Sequence, residues 1–150
     1  MYKEYYFQRE EMTAIEKIET KLKQWPSLRY SKERDTITVN QDTENGFSVW
    51  LTENLPGYTV GFDGWHEKLH EEEEALAAFA FGLSDDCRLK VIQRGSTDCA
   101  WIVESKDNDG QWRGDSTTGL LLTPFWRKRK IVYRQNNVIT SNEQGSAPFS

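Results

Sequence analysis

The sequence predicts an α+β fold, with two helices packed against antiparallel β-meanders in the order α-β(2-3)-α-β(4). Three observations carry that prediction. Two segments repeat apolar residues at the helical period, and the segments after each of them alternate apolar with polar residues instead. Turn chemistry, Asn54-Leu55-Pro56-Gly57 and Asp109-Gly110, separates alternating runs, which makes neighbouring strands antiparallel. Helices set apart from such strands point away from a parallel α/β sheet. The 150 residues suit one domain, and 37% hydrophobic with 13% aromatic residues is too apolar for a disordered chain.

The first helix opens at Thr13, which with Glu16 reads as a capping box. Ile15, Ile18, Leu22 and Trp25 then fall on one stripe, and Pro26 stops the helix because it lacks a backbone N–H. Thr36 to Asn40 is short and β-prone. Phe47, Val49 and Leu51 alternate with Ser48, Trp50 and Thr52, and after the Asn54–Gly57 turn Tyr58, Val60 and Phe62 alternate again. Asp63-Gly64 is expected to end this hairpin. The second helix takes its stripe from Leu69, Leu76, Phe79, Ala80 and Leu83, starting near His70. Glu71 to Glu74 suit its positive N-terminal end, and Gly82 suits its last turn.

The remaining strands form a meander. Pairing Arg94 with Asp98 across Gly95-Ser96-Thr97 sets Leu89 opposite Val103, Val91 opposite Trp101 and Arg88 opposite Glu104. Cys87 then faces Ser105 and Cys99 faces Gln93, so the two cysteines are expected to be free thiols. A two-residue Asp109-Gly110 turn, with Asn108 opposite Gln111, sets Val103 opposite Ser116 and Trp101 opposite Thr118. Pro124 breaks the next apolar stretch, and Ile131-Val132-Tyr133 is the last strand. Residues 1–135 are read as one domain and 136–150 as a polar, mobile tail.

Composition narrows the function classes. Nineteen basic against 24 acidic residues give a net charge of −5, which disfavours general nucleic-acid binding. No signal-peptide pattern opens the chain, and its longest apolar run, Ala75–Phe81, is too short for a membrane span. With only two cysteines there is no disulfide framework. The expectation is a cytoplasmic protein without a membrane partner.

Three features offer chemistry. His66-Glu67-Lys68-Leu69-His70 resembles the zinc-binding helix of the zincin metallopeptidases. That resemblance implies a zinc held by His66 and His70, with Glu67 as general base, provided both histidines share a helix face. Lys68 inside the string and the acids behind it place the helix start near His70, which leaves His66 outside the helix. The second feature is Arg127-Lys128-Arg129-Lys130 behind Phe125 and Trp126, a combination able to hold phosphate or a single strand of nucleic acid. A solvated strand start is the competing account: residues 1–75 carry nine basic and 16 acidic groups, and residues 76–150 carry ten and eight. Trp50, third, lies on the polar parity of its strand and is expected either to be exposed or line a contact surface, or to be covered there by the tail or a partner.

The reading these features support best is a non-enzymatic, cofactor-free domain that binds a protein partner through its acidic helix face or an exposed sheet edge, with Trp50, Trp126, Arg127, Lys128, Arg129 and Lys130 as candidate contact residues. In composition it is similar to small acidic proteins that neutralise bacterial toxins or act as accessories. A zinc-dependent hydrolase and a single-strand or phosphate binder are the alternatives.

Overall fold

A computed structural model describes residues 12–120 and 123–139. Helix α1 spans Ala14–Leu22, with the Thr13 hydroxyl accepting the Glu16 N–H at 3.2 Å. Its buried stripe is Ala14, Ile15, Ile18 and Leu22. The helix ends before Trp25: the Gln24 and Trp25 N–H groups bond to Lys21 and Leu22 in a tightened last turn.

Five strands follow, not two or three: β1 Tyr30–Lys32, β2 Thr36–Val39, β3 Val49–Asn54, β4 Gly57–Phe62 and β5 Trp65–Leu69. They form one antiparallel sheet in chain order. β1 is too short to show alternation. Asp63-Gly64 does not end the hairpin but turns the chain into β5, so that Phe62 faces Trp65. Asp63 takes up φ 50°, and its carboxylate accepts both the N–H and the hydroxyl of Ser48. Leu69 lies on β5 opposite Tyr58 and is no part of the second helix. That helix, α2, runs Glu72–Leu83 with three acids in its first turn. It buries Ala75, Leu76, Phe79, Ala80, Gly82 and Leu83 and lies against β3 and β4.

The second sheet holds β6 Cys87–Arg94, β7 Thr97–Lys106, β8 Trp112–Gly119 and β9 Arg129–Arg134 in the order β8-β7-β6-β9. Three strands linked in sequence and a fourth returning beside the first make a Greek key. Along β6 and β7 the expected pairs hold from Cys87–Ser105 to Ile92–Ala100. Nearer the turn the register shifts: Gln93 faces Asp98 and Arg94 faces Thr97, which leaves Cys99 as the extra residue of a bulge. The Arg94–Asp98 and Gln93–Cys99 pairs are thus corrected, and both cysteines are buried and free.

A similar offset occurs one hairpin on. Asp107 N–H bonds to Gln111 O and Gly110 N–H to Asp107 O, so the loop is one residue longer than the expected two-residue turn. A bulge beyond the Glu104–Gly114 pair absorbs the difference, and Val103 still faces Ser116 and Trp101 still faces Thr118.

The two sheets share one apolar core that contains Phe47, Phe62, Phe79, Leu83, Leu89 and Val103. Trp65 Nε1–H donates to Ser116 Oγ at 3.1 Å, and Arg134 reaches Asp63 at 2.8 Å and Asp98 at 2.9 Å, so polar ties also cross between them. The chain after Gln135 departs from the expected tail. Asn136 is buried, Ile139 is fully buried, and the Val138 and Ile139 N–H groups both bond to Leu83 O. Residues 140–150 of that expected tail lie outside the described residues. No helix among the described residues is long and apolar enough to cross a membrane.

Candidate functional site

The H-E-x-x-H string lies on β5, not on a helix. Trp65 decides this: it is buried, stacks on Phe62 at 4.6 Å and holds the following residues in register with β4. His66 faces Gly61, Glu67 faces Val60 and Lys68 faces Thr59, and all three side chains are exposed. His70 follows the strand and is also exposed. Four residues of strand span about 13 Å, so the shared helix face that zinc ligation requires does not arise. Among the described residues no three His, Cys, Asp or Glu side chains gather into a metal-binding group.

Trp50 is not free either. Its ring lies over Gly61, where any Cβ would overlap it, and its Nε1–H donates to Asp63 O at 3.3 Å. The residue is half-buried and fixed in the first sheet. Trp126, Arg127 and Lys128 belong instead to the connection between β8 and β9 in the second sheet, and Arg129 and Lys130 open β9.

Pro124 to Arg127 form a turn closed by Arg127 N–H to Pro124 O at 2.9 Å. Phe125 and Trp126 occupy its two central positions, 75% and 73% exposed. Their rings meet edge to face at 5.4 Å. Arg127, Lys128, Arg129 and Lys130 follow, all exposed. The Gly95 N–H donates to Lys128 O and Arg94 Nη1 to Arg127 O, which ties this turn to the β6–β7 turn at the same end of the sheet.

A further surface lies on the outer face of the second sheet. Cys87, Leu89 and Val91 point into the core, which puts Arg88, Lys90 and Ile92 on the other side. Ile102 of β7 faces Lys90, and Ile131 and Tyr133 of β9 face Ile92 and Lys90. Ile131 and Tyr133 are 41% and 48% exposed. Arg88 is held between two rings, 4.6 Å from Trp112 and 4.1 Å from Tyr133, while its Nε meets Glu104 Oε1 at 2.6 Å. Helix α2 lies against β3, β4 and, on the core side, β6, and α1 lies near β2 and β3, so neither covers this outer face. Parity alone marks Ile92, Ile102 and Ile131 as apolar residues on a polar face. The ring cage around Arg88 needed the β9–β6 pairing, which joins strands far apart in sequence.

Two other groups have structural explanations. Burial pushes the Cys87 thiol well above its ordinary range, and the Asp115 charge adds to this, so the thiol is no nucleophile. Asn136 closes the cleft beside Trp25, Asp42 and Asn137, and its amide is spent on the Phe47 N–H, Phe47 O and Gly82 O. No protein-family model matches the chain, and no curated protein or solved structure matches it either.

Proposed function

We propose that this chain is a non-enzymatic, protein-binding domain whose contact surface is the outer face of its second sheet. The single observation behind this reading is the set Ile92, Ile102, Ile131 and Tyr133 around the ring-stacked Arg88, on a face that neither helix covers. Trp, Tyr and Arg anchors among apolar neighbours are the composition of interface cores. Arg88 is already ordered by Glu104 and two rings, so binding costs it little further side-chain entropy. Lys90, Lys106 and Arg129 share the face with Arg88, whereas Glu104 is its acid, so a partner with acidic groups around an apolar centre fits. The toxin-neutralising or accessory role suggested by composition is one form of such binding. The zinc-hydrolase alternative has lost its helical premise.

The test is capture of a partner from the native host, followed by titration of the purified pair. Tyr133→Ala with Ile131→Asp should weaken binding at least about tenfold while the melting curve stays in place. Unchanged affinity in that variant would remove the outer face from the proposal.

A further inference from the structure

We propose that the Pro124–Arg127 turn docks this protein end-on against an anionic lipid surface, with Phe125 and Trp126 in the interface and a collar of cations around them. This departs from the expectation of no membrane partner, which rested on the lack of a spanning segment; a surface-docked turn requires none.

Three observations point to lipid. The first is the shape of the turn. Phe125 and Trp126 fill its central positions and stand in water, serving no core. Aromatic side chains beside a charged backbone segment suit the headgroup level of a bilayer.

Charge is the second. Arg94, Arg127, Lys128, Arg129 and Lys130 meet at one sheet end, and none has a carboxylate partner among the described residues. Arg94 and Arg129 are directly opposed across the β6–β9 pair, an arrangement that works against the sheet. No Asp or Glu occurs from Ser116 to Asn142, although the whole chain carries −5. Asp98 also stands near this end but is engaged by Gln93 and Arg134, so the five cations leave an excess of positive charge that orients this end towards an anionic plane.

Third comes the way the strand distributes the charges. Residues alternate across a sheet, so Arg129 and Lys130 leave β9 on opposite faces. A patch on one protein partner meets one face of a sheet. A plane approached end-on meets both. Nor do the rings offer a base-stacking platform, because they stand at 81° to each other.

Vesicle co-sedimentation and tryptophan emission test this. Vesicles with about 30 mol% phosphatidylserine should bind the full chain at least about tenfold more tightly than pure phosphatidylcholine, and raising salt to about 0.5 M should weaken that binding. A blue shift on binding should disappear in Trp126→Ala. Phe125→Ala with Trp126→Ala, and separately Arg129→Glu with Lys130→Glu, should each reduce binding at least about tenfold with unchanged melting curves. Inorganic phosphate at millimolar concentration should not compete. Equal affinity for both vesicle types, or full binding by either double variant, would overturn the proposal. So would displacement of the vesicles by phosphate or by a single-stranded oligonucleotide. Tyr133→Ala should keep vesicle binding, which separates this proposal from failure of the protein-contact reading.

Discussion

Arg134 is the residue on which two acids and two sheets depend. It bonds to Asp63 at the β4–β5 turn and to Asp98 on β7, and all three side chains are largely withdrawn from solvent. Burial works against the charged form of Asp98. The hydrogen bonds from Arg134 and Gln93, with the charge of Arg134, outweigh it and hold the carboxyl below its ordinary range. A carboxyl depressed in the folded state adds stability above the unfolded value of about 3.9. That stability is lost as pH falls from there through the folded value. Arg134→Gln should therefore cost about 1–3 kcal/mol at neutral pH in urea titrations, since it leaves two acids facing each other. The same variant should show a flatter stability profile below about pH 4 than the parent. Residue-level legibility was uneven. The Arg88–Glu104 pair follows from strand parity and turn position. The face of Trp50 follows from strand parity, whereas its half-burial does not, because the space for its ring comes from Gly61 on the neighbouring strand.

At the scale of elements, local pattern served where a strand's register depended on its own turn, and failed where a buried anchor overrode it. The H-E-x-x-H string and the acids behind it look helical when read alone. Trp65, placed by a turn that reads equally well as an end, pulls the string into β5. β9 could be identified as a strand, but nothing local told it to pair with β6. The β7–β8 hairpin shows how a correct register can rest on an incorrect turn: an extra loop residue and a bulge cancel. Gly110 remains in the left-handed region at φ 78°, with open space where a Cβ would point. Gly110→Val should thus cost only the backbone strain, about 1–2 kcal/mol, whereas Gly110→Asn should cost clearly less. Thermal melts of the two variants distinguish this from a loop that simply lengthens, in which both would melt with the parent.

For the molecule as a whole, the question is why two sheets joined in sequence through one helix should behave as one folding unit. The answer lies in the five residues after β9. Asn136 bonds through its side chain to Phe47 N–H and O, just before β3, and to Gly82 O at the end of α2. Val138 and Ile139 then cap Leu83, and Ile139 forms a parallel bridge with Ser84 inside the shared core. The last described segment of the chain thereby fastens the first sheet, the second helix and the strand that closes the Greek key. Sequence polarity hid it, since Asn136-Asn137 reads as loop, and the burial of an Asn becomes legible only once its three backbone partners converge. Removing that amide leaves one buried N–H and two buried carbonyls without a partner, each worth about 1–3 kcal/mol. Asn136→Ala should cost about 3 kcal/mol or more, while Asn137→Ala, beside it and exposed, should cost less than about 0.5 kcal/mol. If the fastening also makes the sheets cooperative, the parent should unfold in a single urea transition by both tryptophan emission and far-ultraviolet dichroism. In Asn136→Ala, single-tryptophan variants that keep Trp50 of the first sheet or Trp101 of the second should then give separate curves. Coincident curves in that variant would place the cooperativity in the apolar core alone.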